Sequence, residues 1–199
     1  MKRGWFASSW LLLVAVLFTG GLVTDGASQE LTQGSIRRQV KTVQDIVREQ
    51  EQAIVMVQSE SFQGTGFFVR PDGILLTAYH VIKGSRRLTI TLCDKTAYQD
   101  VQILAVDPEK DLAVLQLKHV RIPHFPVVTL GDSDQVTKGE EVIAIGNPLG
   151  LSCTVSTGII SAIRGDKALA LFQTTAAASP GNSGGPLFNL YAFVIGILT

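Results

Sequence analysis

The sequence predicts an all-β protein built from two consecutive β-rich blocks. From residue 53 onward, short runs of β-branched and apolar residues are separated by turn-forming residues, and the two blocks are similar in size. The chain has 199 residues, of which 46% are hydrophobic and 17% are charged, a composition typical of globular proteins. Its 17 basic and 17 acidic side chains give no net charge, so we expect no nucleic acid among its partners.

Residues 1–27 have the pattern of an export signal, because Lys2 and Arg3 precede an apolar run from Trp10 to Phe18. The uncharged stretch from Trp5 to Val23 is also close to the ~20 residues that a membrane-spanning helix needs. The segment is therefore either a cleaved signal peptide or an uncleaved signal anchor. In both cases we expect export: the domain is periplasmic or secreted, or it is anchored to the membrane outside the cytoplasm.

Residues 28–52 are predicted to form a linker and an amphipathic helix from Ser35 to Gln52. The apolar residues of this helix are spaced by three and four positions, which places them on one face: Ile36, Val40, Val43, Ile46 and Val47. Two roles stay open for this face. It either packs on its own domain or serves as an oligomerisation or docking element.

Residues 53–118 are predicted to form the first barrel, with six short antiparallel strands: Ala53–Gln58, Gly64–Arg70, Ile74–Ala78, Arg87–Leu92, Val101–Val106 and Leu112–Leu117. Residues 119–138 contain prolines and a glycine and are predicted to be a surface connector. Residues 139–199 are predicted to form the second block, with five strands: Glu141–Gly146, Thr154–Ile163, Ala168–Thr174, Gly185–Asn189 and Phe193–Thr199.

A glycine-rich loop, Gly181-Asn182-Ser183-Gly184-Gly185, carries the candidate nucleophile Ser183. No Asp, Glu or His follows Ser183, so a base and an acid must come earlier, in the order His, Asp, Ser. His80 ends an apolar strand and is the candidate base, whereas His119 and His124 lie in the connector. Asp111 leads into a buried strand, where its carboxylate can hold an imidazole. The three histidines have no metal-ligand spacing, so we expect no metal and no cofactor.

These pieces resemble the trypsin-like serine proteases of the HtrA/Deg family. The resemblance rests on six segments that occur in the family's order: Gly64–Val69, Thr77–Val81, Asp111–Leu115, Leu130–Ser133, Val142–Gly150 and Pro180–Leu187. It implies a chymotrypsin-like double β-barrel with the active site between the barrels. It also implies a serine endopeptidase, with His80, Asp111 and Ser183 as the triad and the N–H groups of Gly181 and Ser183 as the oxyanion hole.

The resemblance further implies unfolded proteins or peptides as substrates, a role in protein quality control, and a homo-oligomer, namely a trimer formed through the N-terminal segment. Two alternatives remain: a catalytically weak or inactive peptide-binding module, or a truncated fragment. They are kept because the chain stops at Thr199 without a PDZ domain, so we expect an incomplete second barrel, an unpaired edge on Phe193–Thr199, a missing pocket wall and weak activity.

Other departures from the family pattern give local predictions. Thr175 replaces an aspartate before the serine loop, and Asn189–Ala192 lacks the glycine common in such hairpin turns, so we expect a strained or altered turn there. Thr199 aligns with a hydroxyl residue that supports the catalytic aspartate. Cys93 and Cys153 either form a disulfide, which export permits, or are two buried thiols.

Overall fold

The computed structural model describes residues 39–120, 124–147, 153–165, 170–179 and 181–199. The predicted export segment, residues 1–27, lies outside the described residues, as does the start of the predicted helix. In the ranges that are described, no helix is both long enough and apolar enough to cross a membrane.

The N-terminal helix is shorter than predicted. Helix α1 spans Val43–Gln50 and is followed by a 3₁₀ helix at Glu51–Ala53. The prediction of a helix beginning at Ser35 is wrong for residues 39–42, because the backbone of Thr42 is extended and its hydroxyl accepts a hydrogen bond from Asp45 N at 3.2 Å. A side chain that caps the first turn in this way fixes the residue at which the helix begins. Val40 thus lies outside the helix, and it is 57% exposed.

Helix α1 packs on its own domain. Ile46 is fully buried, and Val43 and Val47 pack against the core cluster that contains Phe188. Just before the helix, Lys41 N donates a hydrogen bond to Leu190 O at 2.9 Å. The apolar face of the helix is therefore used within the domain, which favours the first of the two roles considered for it.

The first sheet contains seven strands in the described part of the chain, in the order β5-β4-β1-β2-β3-β7-β6, and all neighbours are antiparallel. The strands are β1 Ile54–Gln58, β2 Gln63–Arg70, β3 Ile74–Ala78, β4 Thr89–Thr91, β5 Ala97–Tyr98, β6 Val101–Asp107 and β7 Leu112–Leu117. The six predicted strands are confirmed within one or two residues. Only the two-residue strand β5 was not predicted.

The second sheet contains six strands in the described residues, in the order β11-β10-β9-β12-β13-β8. They are β8 Thr129–Leu130, β9 Glu141–Gly146, β10 Thr154–Gly165, β11 Ala170–Thr174, β12 Pro186–Asn189 and β13 Phe193–Ile197. The predicted connector, residues 119–138, contributes the two-residue strand β8, which was not predicted. The predicted unpaired edge on Phe193–Thr199 is wrong at its start, because β8 pairs in parallel with β13 there.

Strands β1 and β2 join the two halves of the domain. Phe68 on β2 lies in the core of the first sheet with Leu75 and Leu115, whereas its neighbour Phe67 packs with Ile143 and Phe188 of the second sheet. Successive side chains of a strand point to opposite faces, so β2 has both faces buried. The contact between the two sheets is therefore made along β2, and Thr65 of β2 also contacts the loop that carries Ser183.

The hairpin turn between β12 and β13 is strained, as the missing glycine predicted. Ala192 has a φ of +63°, in the left-handed region that non-glycine residues rarely adopt. The Asn189 side chain supports the turn, because its Oδ1 accepts hydrogen bonds from Tyr191 N at 3.0 Å and Phe193 N at 3.1 Å.

Candidate active site

His80 and Asp111 are brought together by the register of two neighbouring strands. Ala78, the last residue of β3, pairs with Leu112, the first residue of β7. The residue after β3 and the residue before β7 are therefore adjacent. The short helix α2, Tyr79–Ile82, begins at this point, and the Asp111 carbonyl accepts its first N–H, from Tyr79, at 2.9 Å. The pairing of β3 with β7 therefore places His80 next to Asp111.

The Asp111 carboxylate accepts three hydrogen bonds. Oδ1 accepts the backbone N–H of His80 at 2.8 Å, and Oδ2 lies 2.6 Å from His80 Nδ1 and 2.5 Å from Thr199 Oγ1. The contact from Thr199 agrees with the position that the family resemblance gave it. Asp111 adopts φ +51°, in the left-handed region that Asp and Asn tolerate better than most residues. Its backbone turns so that both the carbonyl and the carboxylate face helix α2.

These contacts set the charge state of Asp111. Burial raises the pKa of its carboxyl, but the hydrogen bonds from Thr199 and His80 together outweigh burial and hold the pKa below its ordinary value of 3.8. Asp111 is therefore a carboxylate at neutral pH. A carboxylate facing Nδ1 keeps the proton of a neutral imidazole on that nitrogen, which leaves Nε2 as a proton acceptor.

The loop that carries Ser183 is held against the first sheet by Thr65 of β2. Thr65 is fully buried. Its backbone N–H donates to Ser183 O at 2.8 Å, and its hydroxyl donates to Gly181 O at 2.6 Å. The same hydroxyl accepts Asn147 N at 3.0 Å, so one side chain joins β2, the end of β9 and the serine loop.

The peptide groups around Ser183 are fixed on both sides. The peptide between Ser183 and Gly184 accepts from Thr65 and donates, through Gly184 N, to Leu198 O at 2.6 Å. The carbonyl of Asn182 accepts Gly185 N at 2.9 Å. A trans peptide holds its C=O and N–H in opposite directions, so this bond also fixes the direction of the Ser183 N–H.

Two glycines allow this close approach. Gly184 has φ +85°, and a Cβ there would lie 2.2 Å from Thr65 O. A Cβ on Gly64 would lie 2.7 Å from Ser183 O and 2.6 Å from a methyl group of Val81. Val81 follows His80 in helix α2. The serine loop, β2 and the helix that carries His80 are thus in contact with no room for side chains at either glycine.

Ser183 itself is half-buried, and so is Gly181, whose φ is +96°. Among the residues that the structure describes, the His80 ring bonds only to Asp111, and no hydrogen bond joins it to Ser183 Oγ. Asn182 is buried, and its side-chain oxygen packs against Gly146 without a hydrogen-bond partner in the described protein. The structure therefore brings His80 and Asp111 into direct contact and places the serine loop beside them.

The other residues that the sequence raised lie elsewhere. His119 pairs with Asp100 on the surface at 2.5 Å, and His124 is exposed. The hydroxyl of Thr175 accepts Ile159 N at 3.0 Å, so the residue that replaces the family aspartate still holds its loop to β10. The described residues contain no group of three or more His, Cys, Asp or Glu side chains that could hold a metal ion.

The sequence did not reveal Thr65 as a positioning residue. It stood inside one of the matching segments, but its partner Gly181 lies 116 residues further along the chain. Thr77, on β3, was missed in the same way: it is buried, and its hydroxyl donates to Thr65 O at 2.7 Å. A buried threonine in a strand has no sequence signal that separates it from an ordinary β-branched core residue.

Comparison with known proteins gives one consistent result. Residues 64–197 match the model of the trypsin-like peptidase domain. The chain is 42% identical over 148 residues to a Chlamydia trachomatis protein named probable periplasmic serine endoprotease DegP-like, covering 71% of this chain and 29% of that protein. It is 44% identical over 144 residues to serine protease HTRA1 of Xenopus laevis, covering 68% of this chain and 31% of that protein.

Solved structures agree with these relatives. An HtrA-type protease, AlgW, determined with a tripeptide, superposes with a TM-score of 0.69 at 35% identity and covers 78% of this chain and 53% of that one. The crystal structure of Deg5 superposes with a TM-score of 0.69 at 29% identity and covers 77% of this chain and 81% of that one. The chain spans less than a third of the length of the two curated relatives named above.

Proposed function

The chain belongs to the trypsin-like peptidase family, with HtrA-type serine proteases among its relatives, and from this we propose that it is a serine endopeptidase that uses Ser183, His80 and Asp111. The observation that carries the proposal is the hydrogen-bonded chain from Thr199 through Asp111 to His80 Nδ1, next to a serine whose peptide groups are fixed. Each member of this arrangement has a role in acyl transfer.

In the proposed reaction, Ser183 Oγ attacks the carbonyl carbon of the scissile peptide bond, and His80 Nε2 takes the hydroxyl proton as the bond forms. Asp111 stabilises the imidazolium that results and keeps its ring in place. The imidazolium then donates its proton to the leaving amine. Water then attacks the carbonyl carbon of the acyl-enzyme while His80 takes a proton from it. His80 returns this proton to Ser183 Oγ as the acyl group leaves as a carboxylic acid.

The negative charge that develops on the carbonyl oxygen needs donors that are already in place. We assign this role to the N–H groups of Gly181 and Ser183. The Thr65 hydroxyl supports the Gly181 end of the loop, and the bond from Gly185 N to Asn182 O supports the direction of the Ser183 N–H. Donors held this way need no reorganisation when the oxyanion forms.

The proposed substrates are unfolded proteins or peptides, in a role in protein quality control. The tripeptide in the AlgW structure supports a peptide ligand for this fold. Several relatives are named periplasmic endoproteases, which supports export of this chain by residues 1–27, as a signal peptide or as an anchor. Fusing residues 1–35 to a reporter that is active only after export tests this, and a reporter that stays in the cytoplasm and is inactive would contradict it.

The proposed trimer is tested by a substitution at Val40 and not at Val43. Val43 is partly buried and packs against the core of the second sheet, so changing it to Asp would also destabilise the domain. Val40 is exposed, and Val40→Asp alone should convert an oligomer to a monomer in sedimentation. A wild-type chain that is already monomeric would rule out this assembly.

The triad proposal is tested by hydrolysis of casein and of an activated ester. We expect Ser183→Ala or His80→Ala to lower kcat by on the order of 10⁴ to 10⁶, and the double variant to be little worse, because both groups act in one proton transfer. A covalent serine-directed phosphonate should label the wild type and not Ser183→Ala. Activity retained in Ser183→Ala would overturn the assignment, and labelling without turnover would favour the peptide-binding alternative.

A further inference from the structure

Two thiols from different sheets meet beside the 3₁₀ helix at Glu51–Ala53. Cys93 lies in the turn between β4 and β5 of the first sheet, and Cys153 directly precedes β10 of the second sheet. Their sulfur atoms are 3.7 Å apart, although 60 positions separate the two residues in the chain. They are the only two cysteines of the sequence.

Both sulfur atoms lie close to the same backbone carbonyl, that of Glu51. Cys93 Sγ lies 3.1 Å from Glu51 O and 3.4 Å from Ile54 O, and Cys153 Sγ lies 3.8 Å from Glu51 O. Cys93 is exposed, whereas Cys153 is partly buried against the core of the second sheet. A disulfide needs a sulfur separation of about 2.05 Å, so the two sulfurs must close by about 1.7 Å. Cys93 lies in a turn, which can supply this movement more easily than a strand can.

We propose that Cys93 and Cys153 form a disulfide that links the first sheet to the second. The bond is made by exchange with a small disulfide such as oxidised glutathione. The Cys93 thiolate attacks one sulfur of the reagent, a mixed disulfide forms, and one reagent thiolate leaves. Cys153, after losing its proton, attacks Cys93 Sγ and releases the second reagent thiolate. The protein loses two electrons and two protons, and the reagent gains them as two thiols.

The order of attack follows from the environment of each thiol. The hydrogen bond from Cys153 lowers the pKa of Cys93, and Cys93 is also the more exposed sulfur, so it reacts first with an external disulfide. The hydrogen bond with Cys93, together with burial, raises the pKa of Cys153. Cys153 therefore acts as the resolving thiol, because the sulfur that it must attack, Cys93 Sγ, lies 3.7 Å away.

The expected consequence is a more stable domain. The bond would close a loop that runs from residue 93 to residue 153 and includes β5 to β9. Closing a loop of this length restricts the unfolded chain much more than the folded one, so the Tm should rise by on the order of 10 °C. The link also ties two sheets whose contact supports the candidate active site.

The test uses the full chain, equilibrated in buffers of reduced and oxidised glutathione. In the oxidising buffer we expect both thiols to stop reacting with a thiol reagent, the protein to run as a single chain in denaturing electrophoresis without reducing agent, and its mass to fall by two hydrogens. A peptide pair joined through Cys93 and Cys153 should be found by mass spectrometry. Dithiothreitol should reverse these changes and the rise in Tm.

Two variants control the geometry. Cys93→Ser should leave Cys153 free or joined to one glutathione, without a rise in Tm. In the double variant Cys93→Ser with Asp94→Cys, the thiol moves by one position, and we expect the disulfide to form at least tenfold more slowly. Two glutathione adducts, two free thiols or chain-to-chain disulfides in the oxidised wild type would overturn the proposal. So would equally fast closure in the double variant.

Discussion

Replacing Thr65 by Val removes one hydroxyl while keeping the shape of the side chain. This hydroxyl donates to Gly181 O at 2.6 Å and accepts Asn147 N at 3.0 Å. Asn147 is 1% exposed, so its unpaired N–H should cost about 1–3 kcal/mol. Gly181 is partly exposed and its carbonyl can bind water instead, so losing that bond should cost only about 1 kcal/mol.

The sum, about 2–4 kcal/mol, is large enough to measure. For a chain of this size each kcal/mol lowers the Tm by about 2–4 °C, so we expect Thr65→Val to melt roughly 4–16 °C below the wild type by circular dichroism. The same variant should lose activity, because a shift of the Gly181 loop by ~1 Å costs on the order of 10² in kcat/KM. Activity is measured on an activated ester and on casein at a temperature where both proteins are folded.

Thr65→Ser is the matched control, since it keeps the hydroxyl and loses only a methyl group. We expect it to cost about 1 kcal/mol and to keep most of its activity. If Thr65→Val and Thr65→Ser melt at the same temperature and turn over substrate at the same rate, the hydroxyl does not hold the loop and the reasoning fails.

Two further changes probe the same site. Because the pKa of Asp111 is held below its ordinary value of 3.8, the stabilisation from its hydrogen bonds is present above that pH and is lost as the pH falls through the folded pKa. The difference in unfolding free energy between the wild type and Asp111→Asn should therefore shrink below about pH 4, and a difference constant from pH 6 to pH 2 would contradict this. Gly184→Ala should cost more than about 3 kcal/mol, because its Cβ would meet Thr65 O at 2.2 Å and its φ is +85°. Gly84→Ala, at φ +74° with no atom within 4 Å, should cost only about 1 kcal/mol, and equal losses at the two positions would show that the close contact is not the cause.

The strands were predictable where the apolar pattern is long enough to show a period. β3 and β7 have the predicted bounds, Ile74–Ala78 and Leu112–Leu117, and turn-forming residues precede both strands. β5 and β8 have two residues each, too few for any alternation to be seen. The pairing of β8 with β13 depends on tertiary contacts, so the composition of the connector indicated only a loop.

The sequence contains a capping signal at the start of helix α1, but the apolar spacing predicted an earlier start. Thr42 and Asp45 have the spacing of a capping pair, and Thr42 does cap the helix. The apolar spacing, however, continues upstream through Val40, which made a longer helix look continuous. Spacing reports which residues could share a face, whereas the cap decides where the backbone enters the helix.

The sequence predicted the residue types of the candidate site and their order along the chain. It did not predict the side chains that hold these residues in position. The glycine-rich serine loop, the strand-end histidine and the aspartate before β7 each have a local signal. The supports, Thr65 and Thr77, act through partners that are distant in sequence or through the backbone of a neighbouring strand. Only the folded chain can show that a hydroxyl on β2 is bonded to the loop at Gly181.

The parallel pairing of β8 with β13 has a consequence for how the chain folds as it is made. Thr129 pairs with Phe193, a separation of 193 − 129 = 64 residues. At about 5–20 residues per second, the ribosome needs roughly 3–13 seconds to make the partner of β8 after β8 itself. The first sheet, β1 to β7, ends before β8 begins, so its strands can pair during this interval. The second sheet can be completed, and the serine loop bonded to Leu198, only after β13 has been made. We therefore expect the proposed activity to arise only at that late stage of synthesis.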